Sequence, residues 1–381
     1  MRTRILTSIN DIAAAGWNGL LPDANPFIRH EFLAALEVSQ CASAATGWRP
    51  AHLVCETPDG QLTGALPLYL KYNSYGEFVF DFSWANAYQQ AGLNYYPKLV
   101  SAVPFTPATG PRLLIDQHLT NPPAIKELLL KAARELAEQN RASSLHILFP
   151  DAAQAESLQE SGMLLRKDCQ FHWHNRQYNN FEDFLGQFTA EKRKKTRRER
   201  RRMQEAGITF RTLTGRDLAT ADWDEIMPLY ATTFIRRGRQ PYLSKDCFIQ
   251  LSATMPENIV VFLGYEKAEL VAVALCFRSD TTLYGRYWGA ARFIDSLHFE
   301  TCYYQGIDFC IREGLQTFEP GTQGEHKIAR GFVPTETWSA HWLSHPQFAR
   351  AIDEYLSRER EHIEQYIDVA AEHVPYRSNS G

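Results

Sequence analysis

The hydrophobic positions of this 381-residue chain change period repeatedly, from the alternation typical of strands to the three- and four-residue spacing of helices. Between residues 121 and 138 the apolar side chains form one helical stripe, made of Ile125, Leu128, Leu129, Ala132 and Leu136. Residues 51–56 and 62–70 alternate instead and predict two strands joined by a turn. Three further strands are predicted in the first half, at 77–82, 144–149 and 169–173. The Pro-rich residues 104–112 predict an ordered loop.

The second half mixes the same two periods. Five helices are predicted there, at 181–188, 189–206, 223–236, 297–314 and 348–366. Six strands are predicted, at 208–213, 259–263, 271–278, 281–288, 317–319 and 336–343. Strands outnumber what a simple strand–helix alternation gives, so we expect an α/β (α+β) fold with mixed sheets and helices on both faces.

One pattern of aromatic residues occurs twice, roughly 208 residues apart. Tyr75-Gly76-Glu77-Phe78 is followed by Trp84 and Tyr95-Tyr96, and Tyr284-Gly285-Arg286-Tyr287 is followed by Trp288 and Tyr303-Tyr304. Each copy follows two predicted strands. We therefore predict two copies of one α/β domain, at residues 1–175 and 176–376, with a disordered tail at 377–381.

Composition excludes several classes of protein. The seven cysteines never form a Cys-x-x-Cys pair, which favours reduced thiols in the cytoplasm. No apolar run approaches the roughly 18 residues of a membrane helix, so we expect no membrane span. His172 and His174 have no third ligand nearby in sequence, and we expect no metal. The motifs of nucleophile elbows, Walker loops and zinc proteases are missing from the sequence, which disfavours covalent enzymes and metalloenzymes.

The net charge of −4 conceals a strongly basic segment. Residues 192–202 contain nine Lys or Arg and one Glu, within the predicted helix 189–206. Lys194, Arg197 and Arg198 lie on one stripe of this helix and are candidate contacts for an anion. The partner could be RNA, a nucleotide-linked substrate or an anionic lipid surface, and the alternative is a solvated charged face.

The glycine-flanked residues 318–332 concentrate more kinds of polar group than an ordinary turn. Acid and imidazole groups suited to proton transfer near neutral pH are found there: Glu319, Glu325 and His326. Lys327 and Arg330 lie three residues apart, a spacing that suits a phosphate or carboxylate. The alternative is a turn whose charges pair with one another.

A second candidate segment begins at Arg286, between a predicted strand and a predicted helix. Its pattern, Arg286-x-x-Gly289-x-Ala291, resembles the pyrophosphate-binding loop of GNAT acyltransferases. Tyr303 and Tyr304 follow on the helix, where adjacent residues cannot face the same way. We expect one of them in the core and the other beside a cleft.

These features together resemble a bacterial family of N-acyltransferases described as peptidoglycan biosynthesis/recognition proteins, related to the Fem-type peptidyltransferases. The resemblance rests on the basic helix and on several short motifs: Asn25-Pro26-Phe27, Tyr95-Tyr96-Pro97-Lys98, Pro104-Phe105-Thr106-Pro107, Tyr287-Trp288-Gly289, His298-Phe299-Glu300 and Glu325-His326-Lys327. It implies tandem GNAT-like domains. It also implies an acyl-CoA or an aminoacyl-tRNA as donor, with possible tRNA binding through the basic helix.

We therefore expect an N-acyltransferase that moves an acyl or aminoacyl group directly to an amine of an anionic substrate, such as a cell-wall precursor. Glu325 or His326 would be the base, supported by Glu319. The expected substrate-binding residues are Arg286, Lys327, Arg330, Tyr303, Tyr304 and the basic helix. The first domain would shape the acceptor cleft through Tyr75, Trp84 and residues 104–107. The alternative is a non-catalytic, degenerate transferase that binds a cell-wall precursor or RNA, and the oligomeric state is left open.

Overall fold

The computed structural model describes residues 1–322 and 324–377, which form two compact units. Unit 1 comprises Met1–Cys169 and Glu336–Gln365, and unit 2 comprises Gln170–Thr335 and the chain from Tyr366 onward. This division differs from the predicted single boundary at residue 175, because a late segment of the chain folds with the first unit.

The elements that begin in unit 1 before residue 164 are short strands and five helices. The strands are β1 (Arg2–Leu6), β2 (Arg49–Pro50), β3 (His52–Glu56), β4 (Leu62–Leu66), β5 (Tyr69–Lys71), β6 (Lys98–Ser101), β7 (Leu114–Ile115) and β8 (Ser144–Leu148). The helices are α1 (Ala14–Asn18), α2 (His30–Val38), α3 (Phe82–Gln90), α4 (Pro122–Gln139) and α5 (Ala152–Glu160).

The rest of the chain has longer strands. They are β9 (Leu164–His174), β10 (Ile208–Thr214), β11 (Ile259–Glu266), β12 (Glu269–Arg278), β13 (Thr282–Ala290), β14 (Thr317–Glu319) and β15 (Val333–Leu343). The helices are α6 (Phe181–Gly186), α7 (Ala190–Glu205), α8 (Asp222–Ile235), α9 (Lys245–Thr254), α10 (Leu297–Phe299), α11 (Gln305–Glu313) and α12 (Pro346–Glu372). A π-helix, Glu300–Tyr304, joins α10 to α11, and a 3₁₀ helix covers Glu325–Arg330.

Unit 1 contains an antiparallel sheet of order β1-β3-β4-β7 and a second group of strands. In that group β6 pairs in parallel with β8, while β5 and β2 continue in antiparallel orientation beyond β6. On the other side of β8 lies β15, whose Ser339 is opposite Leu148. Ile352 and Leu356 of α12 are buried against Trp84. These contacts explain why residues 336–365 belong to unit 1.

Unit 2 has a similar arrangement of strands, built around a second pair of parallel strands. Strands β10, β11, β12 and β13 form an antiparallel series, β13 then pairs in parallel with β14, and β14 pairs antiparallel with β9. A helical segment connects the two parallel strands in each unit, as parallel pairing requires: α4 in unit 1 and α10 to α11 in unit 2. The predicted α/β fold with mixed sheets is confirmed.

Helix α4 shows how the sequence sets this architecture. The Asn121 side chain accepts from the Ala124 N–H at 3.3 Å, and prolines occupy the first helical positions, where no intrahelical N–H is needed. Its predicted stripe packs into the main core of unit 1, where Leu129 is fully buried. Each fully buried leucine of this kind contributes about 1.5–3 kcal/mol.

The predicted strand at 77–82 is wrong. The chain there is irregular until α3 begins at Phe82, and Gly76 and Phe78 both have positive φ angles, of 78° and 62°. Two acids of this segment turn inward to a buried lysine: Lys98 Nζ donates to Glu77 Oε2 at 2.8 Å and also to Asp81. The ion pairs take the place of the extended pairing that the aromatic content predicted.

Arg377 is the first residue of the predicted disordered tail, and the structure describes it. The backbone N–H of Arg377 donates to the Gln187 carbonyl at 2.9 Å, and its side chain donates to the Phe188 carbonyl. The remainder of the predicted disordered tail, residues 378–381, lies outside the described residues.

Candidate active site

The two parallel strands of unit 2 stop pairing at a defined point. Their pairing runs from Thr282 opposite Thr317 to Tyr284 opposite Glu319, where β14 ends, whereas β13 continues to Ala290. The register between β12 and β13 shifts at this level, since Cys276 lies opposite Gly285 and Leu275 opposite Tyr287. Arg286 is therefore the extra residue of a β-bulge, a feature that redirects side chains and is frequent beside active sites.

Glycines allow the chain to turn sharply after β14. Gly321 and Gly324 have φ angles of 98° and 114°, which side-chain-bearing residues rarely adopt. A Cβ atom on Gly324 would lie 2.2 Å from the imidazole of His326, so a side chain there would collide with the ring. The turn leads into the 3₁₀ helix that carries His326, Lys327 and Arg330.

The helical segment after β13 supplies the other wall. Its π-helix places Tyr303 and Tyr304, both buried, in different directions. The Tyr303 hydroxyl bonds to His326 Nε2 at 2.8 Å, and the Tyr304 hydroxyl donates to Glu199 Oε2 at 2.5 Å. Tyr303 thus contacts His326 and Tyr304 contacts α7, and single π-helical turns are frequently found at functional sites.

Two histidines, His298 and His326, pack against Tyr303 and against each other. The ring centroid of His298 is 5.3 Å from that of Tyr303 and 5.7 Å from that of His326. Burial, together with the nearby charge on His326 and Arg330, lowers the pKa of His298 to about 4. Burial, followed by the positive charges of Lys327 and Arg330, also lowers the pKa of His326. Both imidazoles are therefore neutral at pH 7 and able to accept a proton.

Lys327 is the most perturbed cation of the site. It is buried, and its Nζ donates to the carbonyl of Gly321 at 2.5 Å. Burial lowers its pKa to about 7, with a small opposing effect from Cys302. A buried lysine of this kind exchanges its proton near neutral pH, which is the behaviour expected at a functional site.

Arg330 holds the 3₁₀ helix in place. Its Nη1 donates to the His326 carbonyl at 2.6 Å and its Nη2 donates to Glu199 Oε1 at 2.8 Å. The guanidinium also stacks on Phe299, 3.3 Å from the ring centroid. These contacts hold the Arg330 guanidinium against the His326 backbone, and its predicted part in substrate binding stays a prediction.

The other predicted residues have separate environments. Glu319 ends β14, and its charge acts on Arg286, whose pKa burial lowers despite the opposing effects of Tyr287 and Glu319. Glu325 is exposed and accepts from the Tyr366 hydroxyl at 2.9 Å. The structure therefore brings His326, Tyr303 and Lys327 together, while Glu325 faces α12.

The predicted basic helix is confirmed as α7. Lys194, Arg197 and Arg198 are all exposed, and Arg197 pairs with Glu182 at 2.5 Å. Neither Lys194 nor Arg198 forms an ion pair with any residue that the structure describes. A cavity of about 590 Å³ borders the helix on the side of Arg197, Arg200 and Arg201.

In unit 1 the corresponding parallel strands are β6 and β8, and the loop that follows β6 covers the end of this pair. After β6 the chain returns to the end of β8, where the Gly110 N–H donates to the Phe149 carbonyl and Arg112 donates to the Leu148 carbonyl. Residues 104–107 are buried, and so is Trp84, which packs against His341. Among these residues only Tyr75 is exposed, and the expectation that they shape an acceptor cleft stays a prediction.

Sequence reasoning missed the support of this site. Glu199, the single acid of residues 192–202, binds both Arg330 and Tyr304. Thr196, Glu199 and Met203 are the buried residues of α7, at helical spacing. That spacing was a readable signal for an inward face. The stacking of Arg330 on Phe299 had no signal in sequence.

The described residues hold neither a disulfide nor a group of metal ligands. None of the seven cysteines forms a disulfide, and residues 1–322 and 324–377 contain no cluster of three metal-binding side chains. Within the same residues no helix is both long and apolar enough to cross a bilayer.

Solved structures share this fold at low sequence identity. FemX is 12% identical with a TM-score of 0.54, over 93% of this chain and 100% of FemX. The C-terminal domain of a protein assigned as lysylphosphatidylglycerol synthetase from Agrobacterium fabrum is 11% identical with a TM-score of 0.54, over 91% of this chain and 96% of that domain. L-PGS from Bacillus licheniformis is 12% identical with a TM-score of 0.52, over 88% of this chain and 98% of that structure.

Sequence comparison adds a family. A search of curated proteins gives no significant match. The model of the FemAB-like family, described as peptidoglycan biosynthesis/recognition, matches residues 8–378. This match spans nearly the whole chain and confirms the resemblance carried by its motifs, and the protein belongs to the FemAB-like family.

Proposed function

We propose that this transferase joins an acyl or aminoacyl group to an amine of an anionic, cell-wall-precursor-like substrate, with His326 as the general base. The observation that carries the proposal is the 2.8 Å hydrogen bond between His326 Nε2 and the Tyr303 hydroxyl, which joins the segments that follow β14 and β13.

The proton transfer follows from the tautomer of His326. With its proton on Nε2, the ring donates to the Tyr303 oxygen and keeps the Nδ1 lone pair for the attacking amine. The amine adds to the donor carbonyl, its proton passes to Nδ1, and the tetrahedral intermediate collapses with loss of the thiolate or alkoxide leaving group. No covalent bond to the protein forms at any step.

The cations near the site would stabilise the negative charges of the donor and of the reaction. Lys327, with a pKa of about 7, is partly protonated at neutral pH and lies on the same short helix as the base. As an ammonium it stabilises the negative charge that develops on the carbonyl oxygen or on the leaving group. Arg286 is proposed to bind an anionic part of the donor, and Glu319 to hold Arg286 in position.

Acyl-CoA and aminoacyl-tRNA are the two donor classes that fit the family, and no metal is needed for this chemistry. Exposed Lys194, Arg197 and Arg198 are proposed contacts for the phosphates of a nucleotide-bearing donor or of tRNA. Transfer to cell-wall precursors of this kind would take place in the cytoplasm, where both donors are made.

The test is transfer by the full chain from a panel of acyl-CoAs and aminoacyl-tRNAs to amine-bearing wall precursors, detected by mass spectrometry. His326→Ala is expected to lower kcat by 10²–10⁴-fold, the range for loss of a general base. Glu325→Ala is the matched neighbour, and a loss as large as that of His326→Ala would move the base to Glu325.

The competing function is binding without turnover. No product from any donor, combined with a thermal shift by wall precursors that survives His326→Ala, would establish the non-catalytic binder and overturn the proposal.

A further inference from the structure

Phe293 is held in solvent by a loop that is fixed on every side. It lies in residues 291–296, between β13 and α10, and its side chain is 90% exposed. The Ala291 N–H donates to the Val271 carbonyl at 3.0 Å, Ile294 packs against a core cluster, and Asp295 pairs with Arg202. The neighbours of Phe293 in the loop are thus held in place, while its phenyl ring points into solvent.

A second exposed apolar side chain lies at the end of α8, the helix that contacts the end of β13. Ile235, the last residue of α8, is 63% exposed. The next residue, Arg236, extends its Nη2 to 3.4 Å from the carbonyl of Ala290, three residues before Phe293. Arg237 and Arg239 follow in an exposed turn, and neither pairs with an acid in the described part of the chain.

Helix α7 extends this surface with positive charge. Arg202, which binds the loop through Asp295, lies on the helix face that also carries Arg198 and Lys195, four and seven residues earlier. Arg198 and Lys195 are exposed and have no acidic partner among the described residues. The cationic band and the exposed phenyl ring, about 100 residues apart in sequence, therefore share one face of unit 2.

The combination identifies the kind of partner. An exposed aromatic ring and an exposed aliphatic side chain, in a unit that also exposes the unpaired Lys195, Arg198, Arg237 and Arg239, fit the boundary between anionic headgroups and acyl chains. Single-stranded nucleic acid is bound by several aromatic rings along a groove, and Ile235 offers no stacking surface. We propose that this face docks on an anionic lipid bilayer, with Phe293 and Ile235 entering the acyl boundary and α7 lying along the headgroups.

Flotation with vesicles tests the proposal on the full-length protein. Vesicles of phosphatidylglycerol and phosphatidylcholine are expected to bind the protein, and vesicles of phosphatidylcholine alone to bind it much less. Phe293→Ser is expected to lower the partition coefficient by roughly tenfold, and Arg198→Gln by roughly fivefold. Binding is expected to weaken as salt increases.

The matched control is Tyr75→Ser, which removes another exposed aromatic ring, 63% exposed, from unit 1. Because both rings are exposed, circular dichroism and thermal unfolding are expected to be unchanged in either variant. Equal losses for Tyr75→Ser and Phe293→Ser, or equal binding to neutral and anionic vesicles, would overturn the proposal. Binding of a single-stranded RNA oligonucleotide that depends on Phe293, without vesicle binding, would also overturn it and assign the face to nucleic acid.

Discussion

Lys327→Met should make the protein more stable at pH 6, although it removes a residue from the proposed active site. Lys327 is 1% exposed, and its pKa falls from the ordinary 10.5 to about 7. At 1.36 kcal/mol for each pH unit, holding the charged form in this environment costs about 5 kcal/mol. Methionine has a similar shape and no charge, but it loses the hydrogen bond to Gly321, which is worth about 1 kcal/mol.

The two pKa values of Lys327 decide how the stability of the wild-type protein changes with pH. The unfolded chain keeps the Lys327 proton up to about pH 10.5, whereas the folded chain releases it near pH 7. Between these values the unfolded state binds more protons, so the stability of the wild-type protein rises with pH. The gain from Lys327→Met is therefore largest below pH 7, at about 2–4 kcal/mol, and falls below about 1 kcal/mol at pH 10.

Thermal unfolding at pH 6 and pH 10 measures the effect. At 2–4 °C for each kcal/mol in a unit of this size, the Tm at pH 6 should rise by several degrees, and the Tm at pH 10 should hardly change. Lys195→Met, at an exposed lysine of α7, is the control and should leave both values within about 0.5 kcal/mol. A lower Tm for Lys327→Met at pH 6, or the same gain at both pH values, would refute the idea of a charge held at a cost in stability.

The remaining predictions concern the groups around Lys327. On the acidic side of the pH profile, the kcat/KM of the wild-type enzyme should fall only below the ordinary histidine pKa of about 6.5, because protonated His326 cannot accept the amine proton. An acidic limb centred above 6.5 would exclude this base, and the separate fall at higher pH is expected from loss of the Lys327 proton. Gly324→Ala should lower kcat with little change in substrate KM, since its Cβ displaces the His326 ring, and wild-type kinetics would show that the ring position is unimportant. Glu199→Gln should lower the free energy of unfolding by about 3–5 kcal/mol, because it leaves Arg330 without its counter-ion. The control Glu205→Gln, on the exposed side of α7, should change it by less than about 0.5 kcal/mol. Equal effects of the two variants in urea titrations would contradict the role of Glu199.

Much of the fold could be predicted from local patterns. The stripe of α4, the helix of α7 and the strands β10 to β14 follow directly from apolar periodicity, because each element buries one face or is buried throughout. Helix α9 was missed although Ser244 caps it, accepting from the Cys247 N–H, since its apolar stripe is short.

The errors arose where distant charges decide the local structure. Residues 77–82 have the composition of a strand, yet Glu77 and Asp81 turn toward Lys98, which lies in another element. Contacts from distant parts of the chain also decide the structure of the candidate site. The segment 318–332 could be found by its mixture of glycines and polar groups, but the partners of His326 and Arg330 come from α7 and the π-helix, and sequence does not show such contacts.

The place of β15 in unit 1 has a consequence for biosynthesis. Strand β8 is complete at Leu148, but the strand that covers its outer edge ends at Leu343, 195 residues later. At about 5–20 residues per second, the ribosome needs roughly 10–40 s to supply it. During that interval the nascent chain exposes an uncovered strand edge, which is a site for wrong pairing and aggregation. Expression of the first 175 residues alone would make this exposure permanent.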